Sequence, residues 1–355
     1  MTMSPKFTPD RPECPPVPGT TTPQGRGVER WEVGAEYAGQ RIDNFLLSRL
    51  KGVPKTRIYK MLRTGEVRVN GGRIASDYRV QEGDQLRIPP VRVSERALEG
   101  GQSQSTGGVS SARAQGVAKS IPIVLEDDRV LAIDKPFGLA VHGGSGVAFG
   151  VIEALRASRS VGVTGRDPLY LELVHRLDRE TSGLMLLAKR RASLTELHRQ
   201  LREGEMRKRY LALVWGSWPP ACDRVEAPLH KWVNAKGERW VRVDPQGQAA
   251  ITKVKVLQRV THAEFGAITL LQCEPLTGRT HQLRVHLAHQ GHPIVGDPKY
   301  GDYARDGQWP WIKRMFLHAW QLRFLHPGRQ EKLSLTADIP EEFQHALTHC
   351  GLERP

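Results

Sequence analysis

Two segments of this chain contain almost no side chains that could enter a hydrophobic core, and they limit how it can fold. Residues 1–28 hold seven prolines among threonines and glycines, so we expect a disordered tail. Residues 99–120 are mostly Gly, Ser, Gln and Ala without an aromatic side chain, which predicts a flexible linker. The chain should therefore form a small domain over 29–98 and a large domain over 121–355.

The small domain contains two segments with apolar residues at helical spacing. In the first segment, positions 42, 45, 46 and 50 share one face of a helix. The second helix should begin near Pro54 and end at Gly65, because proline favours a first turn and glycine the position after a last one. The dipeptide Asn70–Gly71 then predicts a two-residue hairpin turn.

Positive charge is concentrated in the small domain. The chain has 52 basic and 38 acidic residues, a net charge of +14. Residues 41–92 alone hold 12 basic and five acidic residues, a difference of +7, which is half of that surplus. Such a surplus favours a polyanionic partner through counterion release. We expect four residues to contact nucleic-acid phosphates, which would position the partner without reading its sequence: Arg57, Lys60, Arg63 and Arg68.

Neither a membrane anchor nor a disulfide framework is indicated. No apolar run approaches the ~20 residues that span a bilayer, and the first residues lack the apolar core of a secretory signal. The four cysteines, Cys14, Cys222, Cys273 and Cys350, lie far apart without a Cys-x-x-Cys pair. We therefore expect a cytoplasmic protein with free thiols.

One carboxylate, Asp178, stands in a polar turn between Arg176 and Arg179. Apolar runs over 171–174 and 184–187 flank the turn and predict two buried strands. Neighbouring guanidinium groups favour the charged form of a carboxylate, so we expect Asp178 to be ionised at neutral pH. Such an aspartate can act as a nucleophile or as a base.

The residues around Asp178 form a longer motif. His-Arg-Leu-Asp-Arg-Glu-Thr-Ser-Gly at 175–183 closely resembles the catalytic motif of the RluA/RluC family of RNA pseudouridine synthases. Two further stretches resemble motifs of that family, Asp-Lys-Pro-x-Gly at 134–138 and Thr-Gly-Arg-Thr-His-Gln-Leu-Arg-x-His at 277–286. The resemblance covers nearly the whole chain from residue 121 onward. In addition, the two short helices, hairpin and basic face of the small domain resemble the S4 RNA-binding domain.

The resemblance implies specific roles for five residues. Asp178 would be the catalytic aspartate and Arg284 its basic partner, with Arg279 as the alternative partner. Tyr210 would contact the uracil, and Arg176 would fill the gap that the base leaves in its stack. We also expect Thr280 to cap the helix that carries Arg284, and the hydroxyls of Thr181 and Ser182 to bond the backbone of their own turn.

The implied reaction, conversion of uridine to pseudouridine, involves no oxidation, hydrolysis or phosphorylation, so we expect no cofactor and no metal. The histidines at 281, 286, 289 and 292 lack the His-Glu-x-x-His spacing of a zinc site. Asp178 could attack the anomeric carbon or remove a sugar proton, and the sequence does not separate these routes.

Several functions can be compared on this basis. The favoured function is a synthase acting on large-subunit (23S) ribosomal RNA, and the alternatives are a synthase acting on transfer RNA and a non-catalytic RNA-binding or ribosome-assembly factor. A glycosidase would need paired carboxylates, and only Glu180 lies near Asp178.

Many short strands with few helices predict an α+β fold with a largely antiparallel mixed sheet. We expect a monomer.

Overall fold

The computed structural model describes residues 27–34, 37–50, 53–91, 111–143, 149–159, 170–234 and 237–355. The chain divides into two compact units, residues 1–102 and 103–355. The predicted disordered tail over 1–28 lies outside the described residues except for positions 27 and 28.

The small unit combines two helices with a three-stranded antiparallel sheet of order β1-β3-β2. Its elements are β1 (Glu29–Glu32), α1 (Ile42–Arg49), α2 (Lys55–Thr64), β2 (Arg68–Val69) and β3 (Gln85–Ile88). Helix α1 buries Ile42, Phe45 and Leu46, and α2 ends at Gly65, whose φ is 71°. Asn70 and Gly71 both have positive φ, as a tight hairpin turn requires. Both predicted helices and the turn are confirmed.

The flexible linker predicted over 99–120 is wrong in its second half. Helix α3 (Ser111–Lys119) forms there and packs against α4 (Val151–Arg159). Ala114 is buried, and Val117 and Ala118 pack against the large core. The small side chains that indicated flexibility are also good helix formers when they are alanines, and burial against α4 supplies the stabilisation that the sequence pattern did not show. Residues 99–110 lie outside the described part of the chain.

The large unit is built on one ten-stranded sheet of order β4-β5-β7-β14-β8-β13-β12-β9, in which β6 also pairs with β7 and β15 with β14. Its strands are β4 (Ile123–Glu126), β5 (Val130–Lys135), β6 (Glu172–Leu173), β7 (Ser182–Ala188), β8 (Arg207–Trp215), β9 (Arg224–Glu226), β12 (Ile251–His262), β13 (Gly266–Pro275), β14 (Leu317–Leu325) and β15 (Lys332–Thr336). Among the described strands only β7 and β14 pair in parallel, so the predicted α+β fold with a largely antiparallel mixed sheet is confirmed.

The remaining elements lie around this sheet. A separate hairpin consists of β10 (Leu229–Val233) and β11 (Arg239–Val243). Further helices are α5 (Arg191–Glu203), α6 (Gln282–His289), α7 (Tyr303–Asp306) and α8 (Glu341–His349). Among the described residues, no helix has the length and apolar character needed to cross a membrane.

Hydrophobic cores lie on both faces of the sheet, and strand β8 contributes to both. Side chains alternate between the faces of a strand, so Tyr210, Ala212 and Val214 enter one core while Leu211 and Leu213 enter the other. The first core also contains Leu283 and Leu287 of α6. Tyr210 and α6 are therefore placed on the same side of the sheet.

Candidate active site

Asp178 lies in the loop between β6 and β7, as its flanking apolar runs predict. The loop turns back on itself because the backbone N–H of Thr181 donates to the carbonyl of Asp178 at 3.1 Å. Strand β7 then begins at Ser182 and is buried along its whole length. The side chain of Asp178 is 22% exposed, so it meets solvent at the end of a rigid strand.

Arg284 on α6 binds two carboxylates at once. Its Nε and Nη2 donate to Asp297 Oδ2 and Oδ1 at 2.8 and 2.6 Å, and its Nη1 donates to Asp178 Oδ2 at 3.1 Å. The side chain of Arg284 is 4% exposed and that of Asp297 is fully buried. Burial acts to lower the pKa of Arg284, but the hydrogen bonds and charges of Asp297 and Asp178 raise it above its ordinary value. The guanidinium is therefore a fixed positive charge beside Asp178.

The alternative arginine lies elsewhere. Arg279 is exposed, and its Nε donates to the carbonyl of Ala249 at 3.0 Å. It lines the same cavity as Asp178 without contacting that carboxylate. Of the two arginines considered, the structure pairs Arg284 with Asp178.

His281 immediately precedes α6 in the left-handed conformation, with φ of 52° and ψ of 22°. The expected capping role of Thr280 is wrong, because His281 occupies the cap position and makes no side-chain capping bond. The Nε2 atom of His281 lies 3.8 Å from Asp178 Oδ2, and its Nδ1 lies 2.8 Å from the hydroxyl of Tyr300. Burial lowers the pKa of His281 to about 4, so its imidazole is neutral at physiological pH.

Tyr210 reaches the site from β8. It is 8% exposed and lines the cavity that contains Asp178 and Arg284. Burial, and after it the charge of Asp178, raises the pKa of Tyr210 above its ordinary value. Its hydroxyl therefore keeps its proton across the physiological range.

These side chains meet in a cavity of about 880 Å³, within the size range of small-ligand sites. Besides Arg284, six arginines and lysines line it: Arg176, Arg202, Arg207, Lys208, Lys253 and Arg279. A cavity that contains one carboxylate of this kind and several exposed cations fits a substrate that carries phosphates.

The motif at residues 134–138 holds the loop that carries Asp178. Lys135 is fully buried, and its ammonium donates to the carbonyls of Pro136, Leu139 and Arg179 at 2.8, 2.9 and 3.1 Å. The third bond holds the residue directly after Asp178. Burial lowers the pKa of Lys135 to about 7.

The expected role of Ser182 is wrong. Its hydroxyl does not bond the turn but accepts a hydrogen bond from Arg314 Nη2 at 2.6 Å and lies 2.9 Å from His318 Nδ1. His318 lies on β14, which pairs with β7 in parallel, and Arg314 lies just before β14. Ser182 thus joins two strands, a contact that a local pattern does not reveal.

In the small unit, the four candidate phosphate contacts differ in their surroundings. Lys60, Arg63 and Arg68 are exposed. Arg57 is half-buried and forms a two-bond ion pair with Glu66, at 3.0 and 2.6 Å. This pair joins the first turn of α2 to Glu66, which follows the helix. Among the described contacts, Arg57 therefore has a structural partner, whereas no ion pair is found for Lys60 or Arg63.

Two protein-family models match this chain. Residues 129–289 match the RNA pseudouridylate synthase family, and residues 40–86 match the S4 domain. The ribosomal large subunit pseudouridine synthase C of Escherichia coli (strain K12) is 48% identical over 320 residues, covering 89% of this chain and 94% of that protein. The protein of the same name from Salmonella typhi shows the same identity and coverage. The chain belongs to the RNA pseudouridine synthase family.

A solved structure agrees with this membership. The structure described as Human RNA Pseudouridylate Synthase Domain Containing 4 aligns with a TM-score of 0.54 and 28% sequence identity, over 69% of this chain and 98% of that one. The resemblance proposed from the three motifs is thereby confirmed, and so is the S4 domain before the catalytic domain.

Three residues of this candidate site were not identified from the sequence. Asp297 anchors Arg284, while Tyr300 and His281 form a hydrogen-bonded pair beside Asp178. For Asp297 and Tyr300, the available signal was an acidic and an aromatic residue inside the Gly- and Pro-rich loop 291–301. The role of Asp297 is evident only from its burial and from its ion pair with Arg284.

The histidines in the third motif and after it have separate partners. His286 is buried and lies 3.0 Å from both Thr252 Oγ1 and the carbonyl of Ala227, and His292 lies 2.9 Å from the carbonyl of Trp215. Within the described ranges, no group of three His, Cys, Asp or Glu residues could hold a metal ion.

Proposed function

We propose that this protein isomerises specific uridines of large-subunit ribosomal RNA to pseudouridine, with Asp178 as the catalytic carboxylate. The observation that carries the proposal is the 3.1 Å contact between Arg284 Nη1 and Asp178 Oδ2 in the lining of a cavity of about 880 Å³. The choice of RNA rests on the relatives named as large-subunit synthases, which are 48% identical over about nine tenths of the chain.

The chemistry requires a negatively charged oxygen near the sugar. During the reaction the bond from C1′ to N1 of uracil breaks, the base rotates, and a bond from C1′ to C5 forms; C5 then loses its proton and N1 gains one. Asp178 can attack C1′ or remove a sugar proton, and both routes need its ionised form. The guanidinium of Arg284 donates to Asp178 Oδ2 and fixes the orientation of the carboxylate. Because a free anomeric centre would react with water, the detached base must also stay enclosed.

Two residues around Asp178 would handle the extruded nucleotide. Removing a base from its stack costs a few kcal/mol, and we assign Arg176, exposed at the cavity opening, to fill the gap. Tyr210 would contact the uracil, since aromatic contact with a base contributes roughly 1–3 kcal/mol. Its hydroxyl keeps its proton because burial raises the pKa, so it would serve as a hydrogen-bond donor and an apolar surface.

The RNA outside the cavity would be held by phosphate contacts. We assign these to Arg279 at the cavity and to the basic face of the S4 domain, led by Lys60 and Arg63, which are exposed. Arg68 is a further candidate, and Arg57 would contribute only in combination with Glu66. The protein would act as a cytoplasmic monomer on ribosomal RNA or on assembly intermediates of the large subunit.

A non-catalytic RNA-binding factor and a transfer-RNA synthase are the competing functions. The three central residues, Asp178, Arg284 and Tyr210, are all present and share one cavity, which favours an enzyme over a binding factor. The relatives named as large-subunit synthases favour ribosomal over transfer RNA, and the following experiment tests this choice of RNA class.

The test is pseudouridine mapping of total RNA from cells that contain the gene, lack it, or carry Asp178→Ala. We expect loss of discrete pseudouridines in large-subunit RNA, with the same losses in the Asp178→Ala cells. Asp128→Ala, an exposed carboxylate, is the matched control and should retain every site. Losses confined to transfer RNA would overturn the substrate class, and full modification by Asp178→Ala would overturn the site.

A further inference from the structure

His281 adopts a backbone conformation that costs free energy. Residues other than glycine are uncommon at positive φ, and such strain persists where the surrounding structure requires it, often at functional sites. At φ of 52°, the backbone of His281 directs its imidazole into the cavity, where Nε2 lies 3.8 Å from Asp178 Oδ2.

Tyr300 contacts the imidazole of His281 and favours one of its two tautomers. Its hydroxyl oxygen accepts a hydrogen bond from the backbone N–H of Val241 at 3.1 Å. Burial raises the pKa of Tyr300 to about 12, so the hydroxyl also has a proton to donate. The acceptor seen for that proton among the described residues is Nδ1 of His281, 2.8 Å away. A neutral imidazole that accepts at Nδ1 carries its hydrogen at Nε2.

The neutral state of His281 has a separate cause. Burial is the main factor that lowers its pKa to about 4, and the positive charges of Arg284 and Lys299 act in the same direction, against the carboxylates of Asp178 and Asp297. The imidazole is thus a neutral donor with its one N–H on the side of Asp178.

We propose that His281 is a positioning residue for the isomerisation: Tyr300 fixes its Nε2–H tautomer, and this N–H acts with Arg284 to hold Asp178 Oδ2. Among the described residues, both groups address Oδ2, so Oδ1 would be the oxygen that meets the substrate sugar. The present 3.8 Å separation exceeds a hydrogen bond, and catalytic hydrogen bonds commonly tighten when substrate binds. The inference rests on the proposed function, since it assigns a task within that reaction.

The first experiment measures turnover and RNA binding by the full-length protein on in vitro transcribed large-subunit RNA. We expect His281→Ala to lower kcat by about 10- to 100-fold, the rate equivalent of one hydrogen bond to a charged group, with KM and Kd for RNA nearly unchanged. His281→Gln places an N–H near the Nε2 position and should recover a large part of kcat. His289→Ala, an exposed histidine at the end of α6, should match the wild type.

The second experiment tests the tautomer and its cause. In protein labelled with ¹⁵N-histidine, the signals lost in His281→Gln identify His281, and two-bond ¹H–¹⁵N couplings should show a hydrogen on Nε2. Tyr300→Phe should lower kcat by a few-fold alone but add nothing in the His281→Ala background, because both changes remove the same interaction. A hydrogen on Nδ1, or fully additive effects, contradicts the proposed role.

Asp178→Ala in the same assay distinguishes failure of the role proposed for His281 from failure of the proposed function. If Asp178→Ala is inactive while His281→Ala turns over at the wild-type rate, the role of His281 is wrong and the proposed function stands. If the wild type forms no pseudouridine in any large-subunit transcript or in RNA from cells lacking the gene, the proposed function fails and the role of His281 fails with it.

Discussion

At the scale of single residues, the site depends on one guanidinium shared between two carboxylates. Asp297 occupies two of the donors of Arg284 and receives two further bonds from the backbone N–H groups of Lys299 and Tyr300. This buried pair fixes the arginine, and the remaining Nη1 is directed at Asp178. A lysine has no planar fork with which to bind both carboxylates.

Replacement of Arg284 should therefore reduce turnover and stability together. We expect Arg284→Ala to lower kcat by at least about 100-fold, a loss within the range seen when one fixed charge or donor is removed from a reaction centre. Breaking a buried ion pair leaves Asp297 uncompensated and costs about 3–5 kcal/mol of folding free energy. Arg284→Lys should recover part of the stability and little of the turnover.

Arg279→Ala is the matched comparison, since Arg279 lines the same cavity without contacting Asp178. We expect its kcat to stay near the wild-type value and its KM for RNA to rise. Steady-state kinetics give kcat and KM for the Arg284 and Arg279 variants, and thermal unfolding gives their stability. Equal losses of kcat for the two variants would contradict the pairing of Arg284 with Asp178.

Gly183, five residues after Asp178, is a position where an added methyl group should be poorly tolerated. Its φ is 111°, and an added Cβ would collide with the backbone of Ala319, whose nitrogen would lie 2.6 Å away. The collision falls on the parallel pairing of β7 with β14, where neither strand can move freely. We expect Gly183→Ala to cost about 3 kcal/mol or more of folding free energy or to prevent folding.

Gly204→Ala provides the control for backbone conformation alone. Gly204 also has a positive φ, 72°, but an added Cβ would meet open space, so the cost should be about 1–2 kcal/mol. Chemical denaturation of both variants gives the comparison. Similar costs for the two glycines would show that the approach of Ala319 is not what excludes a side chain.

At the scale of secondary-structure elements, Glu126 at the end of β4 connects α4 and the end of β7. It forms a two-bond ion pair with Arg159 and accepts from Lys189 Nζ at 2.8 Å. The hydrogen bonds from Arg159 are the main cause that lowers the pKa of Glu126 to about 2. These contacts tie together elements on both sides of the Asp178 loop.

The lowered pKa of Glu126 predicts a dependence of stability on pH. The folded pKa, about 2, lies below the ordinary value of 4.5, so the unfolded state binds more protons between these values. The stabilisation is therefore complete above pH 4.5 and is lost as the pH falls toward 2. Because Glu126 is partly exposed, screening reduces the effect to about 1 kcal/mol.

Denaturant titrations of wild type and Glu126→Gln between pH 3 and 7 check this prediction. Tryptophan fluorescence reports on the large unit, which contains seven of the eight tryptophans. The difference in stability between the two proteins should shrink below pH 4.5, and Glu264→Gln, an exposed control, should show no such trend. A difference that stays constant down to pH 3 would argue against the ion pairs.

At the scale of the whole molecule, charge and chemistry are divided between two units. The S4 region carries half of the net charge in about a seventh of the length, while the large unit contains Asp178, Arg284 and Tyr210. Phosphate contacts position an RNA without reading its sequence. Binding and turnover should therefore be separable by mutation.

The double variant Lys60→Ala/Arg63→Ala should weaken RNA binding while kcat on saturating RNA stays near the wild-type value. If both side chains contact phosphates, the slope of log K against log salt should decrease in magnitude by roughly 1.4 to 1.8. Lys332→Ala, an exposed lysine of the large unit, should leave the slope unchanged. An unaltered slope in the double variant would show that α2 does not face the RNA backbone.

Local sequence patterns determined much of this molecule, because they act through neighbouring residues. Helices α1 and α2, the Asn70–Gly71 turn and the strands around Asp178 each follow from apolar spacing and from turn chemistry within about ten residues. The motif at 175–183 identified the family and located the carboxylate, and the charge distribution indicated the polyanionic partner.

Only the tertiary structure decided the contacts between distant segments. The choice of Arg284 over Arg279 required α6 to meet a loop 106 residues away in the sequence, and the roles of Asp297 and Ser182 depend on partners of the same kind. Helix α3 is stabilised by burial against α4, which composition alone does not encode. The physical reason is common to these cases: packing and charge pairing act across space, whereas a sequence pattern records only the preferences of adjacent residues.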